Sequence, residues 1–230
     1  IQFLRYLPWV AKQAKNVSFF CSDDLMPVVE YNAKSLMIKT IPKGIFNTHD
    51  FDFQAPLVQL PIIHNTNLSN IFASQQYLKA DPSRKNKFSK YFTSKKFKIG
   101  FFWQGNPQHG EDCFRSIPIE LWSSLIRDNQ DIATFYSLQK GTGEEQVQFL
   151  PKNLNIPLLG PLFNDFSDTA SAIDELDLVI TIDSSVAHLS AALGKTTWVL
   201  LPPIPDWRWL MKRNDSPWYP TMTLFRREIN

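Results

Sequence analysis

Apolar positions along this chain alternate between helical and strand-like spacing, and each change of period marks an element. In residues 1–15, Phe3, Leu4, Leu7, Val10, Ala11 and Ala14 recur at helical spacing, with Pro8 at a kink or boundary. Residues 17–20 form a short apolar run suited to a buried strand. Ser22 is placed to cap a helix over residues 23–31, with Asp23 and Asp24 favourable in its first turn. Residues 36–41 read as a strand and 51–60 as one or two more. This αβαβ order is that of a parallel sheet.

A cleaner series follows. Strands are expected at residues 97–103, 132–138, 178–182 and 196–201. Helices are expected at 118–127 (with Pro118 in the first turn), 143–150, 168–176 (capped by Ser167) and 185–193, and a short one at 206–212. The pattern predicts an α/β protein of two Rossmann-like units, the first short. Residues 1–78 make the first unit, 79–96 a linker and 97–230 the second. No repeat with a period of 20 to 50 residues is visible.

Charge changes this picture in one place. Net charge is +2, yet residues 79–98 carry eight of the 24 basic residues and, in Asp81, one of the 22 acidic ones. A solvated linker helix is the expectation, with nucleic-acid contact the weaker alternative. No apolar run approaches the roughly 20 residues of a membrane span, and residues 1–15 lack the layout of a signal peptide. Cys21 and Cys113 lie far apart and outside any CxxC pair, and the four histidines have no zinc-ligand spacing. These features predict a cytoplasmic protein without metal or cofactor. The chain opens without Met and inside an element, so a fragment or processed product is expected.

Ligands of open parallel sheets sit beyond the carboxyl ends of the strands, where strand order reverses. Three strand ends carry groups suited to an anion. The strand at 178–182 runs into Asp183, Ser184 and Ser185 and then a helix, whose unpaired first-turn N–H groups form a phosphate site. His188 stands on that turn and is a candidate donor; the competing readings are helix capping for the serines and a core position for the histidine. After the strand at 97–103 come Gln104, Gly105 and Asn106, and then Arg115, a candidate diphosphate clamp unless it pairs with Asp112. After the strand at 132–138 come Gln139 and Lys140, placed for a nucleoside and for phosphates. No Walker loop and no GxGxxG is present.

Several segments together resemble a known family: RSIP, SLQKG, DLVITIDSSVAHLSAALGKTTWVLLP, and DWRWL followed by DSPWYPTMTLFR. They are similar to the glycosyltransferase domain that follows tetratricopeptide repeats in many bacterial proteins. That domain is related to family 9 transferases such as the lipopolysaccharide heptosyltransferases, of GT-B fold. The resemblance covers nearly the whole chain. It implies a cleft between two Rossmann-like domains and an inverting, metal-independent transfer from a nucleotide-diphosphate sugar to a glycan, lipid or protein acceptor. It implies tetratricopeptide repeats N-terminal in the parent protein and a first domain lacking its first strand. By position it assigns Ser184, Ser185, His188 and Arg115 to the diphosphate and places Gln139 and Lys140 beside the nucleoside or phosphates, with Asp183 orienting the loop. The family's glycine-rich turn ending in an acidic residue, the usual general base, would precede residue 1, so no catalytic residue is assigned. A binding or scaffold module of transferase fold, without turnover, is the alternative. Trp207 is a candidate to stack on a base or sugar and Arg208 to face the cleft, against core packing of the tryptophans.

Overall fold

The computed structural model describes residues 1–44 and 47–228. The chain opens with a 3₁₀ turn, Gln2–Tyr6, that runs straight into α1 (Leu7–Gln13), with Pro8 in its first turn, where a missing N–H costs nothing. Two-residue strands β1 (Ser18–Phe19) and β2 (Lys39–Thr40) flank α2 (Met26–Leu36) and pair in parallel. The helix expected from residue 23 starts three residues later. Ser22 contributes its carbonyl oxygen, which accepts from the N–H groups of Leu25 and Met26, and Pro27 sits in the first turn. No strand forms at 51–60. That segment ends in a 3₁₀ turn, Leu57–Gln59, leading into α3 (Leu60–Ile63). Pro56 and Pro61 each remove a ladder donor there, so the segment does not pair; Leu60 is buried, while Phe53 and Val58 stay exposed.

The second unit contains β3 (Phe97–Phe102), α4 (Asp112–Arg115), α5 (Glu120–Asn129), β4 (Ala133–Ser137), α6 (Phe166–Asp174), β5 (Leu178–Ile182), α7 (Ser185–Ala192), β6 (Thr197–Leu201) and β7 (Met222–Arg226). Its five strands run parallel in the order β4-β3-β5-β6-β7. All five residues of β5 are buried, as expected for a strand covered on both faces. Gly100 lies beneath the Leu138 and Leu176 side chains; an added Cβ would approach Leu138 Cδ1 to 2.9 Å. Strand β7 was not expected from the pattern, because MTLFR offers only two buried positions. It is recruited by the free edge of β6 through five residue pairs. The expected helices at 143–150 and 206–212 are 3₁₀ turns, Glu144–Phe149 and Trp207–Trp209. The cap of α6 is Asp165, which accepts from the N–H groups of Ser167 and Asp168, and not Ser167.

One cluster of buried residues joins the two units. Phe3, Leu4, Tyr6 and Leu7 from the opening turn pack with Val28 and Val29 of α2 and with Ala187, Leu189, Trp209 and Tyr219 of the second unit. Arg5 is buried in this seam, with its guanidinium over the rings of Tyr77 and Tyr219 at 4.8 and 4.4 Å. It donates to the carbonyls of Gln2 (2.9 Å), Phe72 (3.1 Å) and Trp218, so one cation ties three distant segments together.

The basic stretch is not a solvated helix. It forms two 3₁₀ turns, Pro82–Lys87 and Ser89–Tyr91, laid against α6. Arg84 bridges Asp165 and Asp168 at 2.9 Å each, Lys87 reaches Asp168 at 2.6 Å, and Lys85 reaches Glu175 at 2.7 Å. Phe88 is fully buried against Phe163. Three of the eight local cations, Arg84, Lys85 and Lys87, therefore pair with carboxylates of the second unit. Among the described residues no helix is long and apolar enough to cross a membrane, and Cys21 and Cys113 are both free.

The Asp168 carboxylate is almost wholly buried. Burial pushes its pKa up, but the bonds from Lys87, the Asn164 N–H and Arg84 outweigh this and hold it below the usual carboxylate value. A depressed folded pKa gives stability that is complete above the unfolded value near 4 and is lost as pH falls through the folded value. Asp168→Asn is expected to lower unfolding free energy by roughly 2 kcal/mol at neutral pH, by leaving Arg84 and Lys87 short of a partner. It should also flatten the acid limb of the stability curve. Urea titrations at pH 7 and at pH 3.5 check both; equal losses at the two pH values would contradict it.

Candidate functional site

Strand order reverses between β3 and β5, whose neighbouring carboxyl ends open onto two loops. From β5 the chain passes through Asp183 and Ser184 into α7. Ser184 takes the N-cap position in extended conformation, but its hydroxyl does not cap the helix. It turns instead to the Thr181 hydroxyl, 3.0 Å away. The first-turn N–H groups of α7 thus keep their donors, and Ser185, which opens the helix, is exposed.

From β3 the chain passes through Trp103, Gln104, Gly105 and Asn106 and returns at α4. Asp112, buried, organises this return. It accepts from Gln104 Nε2 (2.7 Å), Ser116 Oγ (2.9 Å) and Arg115 Nε (3.0 Å). Arg115 Nη1 then donates to the Asp183 carbonyl at 3.1 Å, across the reversal point. Arg115 thus makes the pairing with Asp112 that the sequence offered as the alternative, and that pairing turns it toward the loop before α7. Gly105 is required here. An added Cβ would stand 2.7 Å from Arg115 Nη2 and 2.8 Å from Nε, and would meet Asp112 Oδ1. The glycine makes room for the ion pair.

The third strand end contributes less directly. Gln139 is buried, and its amide is fully engaged: Oε1 accepts from the N–H groups of Trp103 (3.2 Å) and Gln104 (3.0 Å), while Nε2 donates to the carbonyls of Gln104 (2.9 Å) and Thr142 (2.7 Å). It prolongs the pairing of β3 and β4 past their ends. Gln104 Oε1 accepts from Gln146 at 3.3 Å. Lys140 is exposed and donates to the Asn164 carbonyl at 3.2 Å, and Asn106 is exposed in a turn in which its side chain accepts from the Gln108 N–H.

His188 lies between aromatic rings. It stacks on Trp209 with ring centroids 5.3 Å apart and planes 14° from parallel, and its Nδ1 shares a 2.9 Å hydrogen bond with the Tyr219 hydroxyl. Burial lowers its pKa to about 3, with the cations Arg208 and Arg5 adding to the effect. The imidazole is therefore neutral at physiological pH, and it sits half-buried between Trp209 and Tyr219, close to the hydrogen-bonded core histidine weighed as the alternative for it. Burial raises the pKa of Asp183, and Asp206 adds to the rise, against the opposing influence of Trp209, Arg115 and Arg208. The two tryptophans of the DWRW turn divide: Trp209 is fully buried on His188, and Trp207 is 58% exposed. Arg208 pairs with Asp206 at 2.7 Å and donates to Gln2 Oε1 at 2.8 Å, so it fastens the units together.

Sequence reasoning missed Asp112 as the hub, Thr181 as the partner of Ser184, and Tyr219 as the partner of His188. The three-residue spacing of Asp112 and Arg115 is a readable signal. Tyr219 lies 31 residues from His188 and leaves none. Among the described residues no group of three or more His, Cys, Asp or Glu side chains is placed to hold a metal ion.

The mixed α/β fold with its five-stranded parallel sheet matches that of GT-B glycosyltransferases. The solved structures similar to the chain are of that class. A family 9 glycosyltransferase of Veillonella parvula matches with TM-score 0.64 at 12% identity, over 100% of this chain and 84% of that one. E. coli ADP-heptose lipopolysaccharide heptosyltransferase II matches with TM-score 0.65 at 12% identity, over 99% and 87%. An E. coli heptosyltransferase with ADP-2-deoxy-2-fluoro heptose matches with TM-score 0.56 at 11% identity, over 99% and 90%. No protein-family model and no curated protein matches the sequence.

Two expectations follow from this geometry. The His188 ring resonances should not shift between pH 8 and pH 5, because its folded pKa is about 3. Since the unfolded imidazole binds a proton below about 6.5, the stability tied to His188 is complete above that pH and declines toward pH 3. A titration midpoint near 6.5 in NMR spectra would contradict the buried placement. Gly105→Ala should cost about 1–3 kcal/mol by forcing Asp112 and Arg115 apart, seen as a lowered thermal midpoint; an unchanged midpoint would show that the pair is dispensable.

Proposed function

We propose that the chain binds a nucleotide-diphosphate sugar with its diphosphate at the amino end of α7 and serves glycosyl transfer from it. The observation that carries this reading is the open terminus itself: Ser184 turns away to Thr181, while Arg115 reaches the Asp183 carbonyl beside it. Helix N–H donors, the positive end of the helix dipole and a guanidinium then converge on one place, an arrangement suited to a diphosphate. The solved heptosyltransferases of similar fold support the same reading.

In this reading the acceptor hydroxyl gives its proton to a general base as its oxygen attacks the anomeric carbon from the face opposite the diphosphate; the centre inverts, and the bond to the diphosphate breaks with its electron pair leaving on the diphosphate oxygen. The negative charge that grows on the diphosphate meets donors already in place, with no metal. Residues 97–230 hold the donor and residues 1–78 face the acceptor. The parent protein carries tetratricopeptide repeats ahead of this domain and works in the bacterial cytoplasm. One observation favours the non-catalytic alternative, a module that binds without turnover: the His188 ring is stacked on Trp209 and bonded through Nδ1 to the Tyr219 hydroxyl, so it packs beside the terminus as a structural group.

Titration calorimetry of the full chain with UDP-, GDP- and ADP-sugars tests the reading. Heat is expected from at least one nucleotide, with affinity weakened about tenfold or more in Arg115→Ala, the loss expected for a charged hydrogen-bond donor. No heat from any of them at millimolar concentration would overturn it. Release of labelled sugar onto an acceptor separates enzyme from binding module.

A further inference from the structure

A concavity of about 500 Å³ lies where the two units meet, between α3 with the loop after it and the Trp207–Trp209 turn. Its walls combine two kinds of chemistry. Ile62, Leu68 and Trp207 are all more than half exposed there, with Trp207 at 58%. Beside them stand the amides of Asn65 and Asn67 and the hydroxyl of Thr66, and no charged side chain lines the space among the described residues.

Trp207 is not a loose surface residue. Its ring meets Trp218 edge-on, with centroids 6.1 Å apart and planes at 78°, and the Arg208 guanidinium lies 4.8 Å from its centroid. The indole is thus pinned in one orientation while still exposed. The Asn65 side chain is exposed, and among the described residues its amide has no partner. The backbone adds an independent sign. Of three non-glycine residues with positive φ among the described ones, Asn65 (φ 54°) and Leu210 (φ 55°) both line this groove. Leu210 combines its φ with ψ −176°, a region left almost entirely to glycine. Such strain persists where the surroundings enforce it, and it gathers at binding sites. Here it ends the turn that points Trp209 inward onto His188 and leaves Trp207 in the groove.

We propose that this groove is a carbohydrate subsite that takes a neutral pyranose ring, with Trp207 as its platform, Asn65 as a partner that both donates and accepts, and Asn67, whose Oδ1 already accepts from Ser69, as a donor through Nδ2. A pyranose has one face of weakly positive C–H groups, which suits the negative face of an indole, and a rim of hydroxyls, which suits amides that both donate and accept. An anion would call for a cation in the lining, and a lipid tail for a lining without amides. The groove connects with the donor site through the DWRW turn, since Trp209 stacks on His188 of α7. That places the sugar on the acceptor side, a role that rests on the donor reading; the sugar binding itself does not.

Saturation-transfer NMR of the full chain, with methyl glycosides of glucose, galactose, mannose and N-acetylglucosamine at millimolar concentration, tests this. Ring-hydrogen signals are expected from at least one glycoside. They should fall about five-fold or more in Trp207→Ala, fall likewise in Asn65→Asp, and persist in Trp207→Phe, which keeps an aromatic face. Circular dichroism confirms that the variants are folded. Absence of signal from all four sugars, or signals that survive Trp207→Ala, would overturn the subsite. The nucleotide titration on the same protein separates the two claims. Sugar signals without nucleotide heat would sink the donor reading and leave the groove standing, and nucleotide heat without sugar signals would do the reverse.

Discussion

Arg115 is the piece on which the site depends. Its guanidinium spans the point where strand order reverses, anchored on Asp112 at one side and on the Asp183 carbonyl at the other. A long cation left to itself on a surface loop would sample many rotamers and hold no ligand firmly. Asp112 removes that freedom, and it is itself fixed by Gln104 and Ser116. Gly105 supplies the space in which the pair closes. The loop after β3 and the loop before α7 are thereby locked into one unit, so that a charged group and a helix terminus face the same place.

The terminus itself is kept open by a choice of partner. A serine at an N-cap ordinarily bonds the N–H two or three residues on. Ser184 bonds Thr181 instead, within the same β5–α7 corner. The helix ends with donors unsatisfied by the chain, tolerable at a solvent-accessible site and suited to an anion. Behind it, the neutral His188, Trp209 and Tyr219 form a rigid aromatic floor, and Arg5 and Arg208 tie that floor to the opening segment. The first unit, with only two short strands of its own, is held in place by this seam.

Much of the second unit was legible in the sequence because its signals are local. LVITI reads as a buried strand from five residues alone, and DSS after it reads as a strand-to-helix corner. What the sequence misplaced were features decided by neighbours. Strand β7 has weak alternation and exists because β6 offers an edge. The basic run reads as a solvated linker until Asp165, Asp168 and Glu175 on α6 come within reach of it. Gln139 reads as a polar group awaiting a ligand, yet its four hydrogen bonds all go to backbone brought in from two loops.

By itself the sequence determined the element types of the parallel sheet, the corner at Ser184 and the residues that gather at the strand ends, since period, capping chemistry and turn residues act over a few positions. Only the tertiary structure decided what each of those side chains does. Whether Arg115 also reaches Asp183, 68 residues on, and whether His188 is exposed or held by Tyr219, 31 residues on, depend on groups far along the chain, and so does which tryptophan of DWRW turns inward onto His188. A hydrogen bond or a stacked ring is formed by distance in space, and no local pattern encodes that distance.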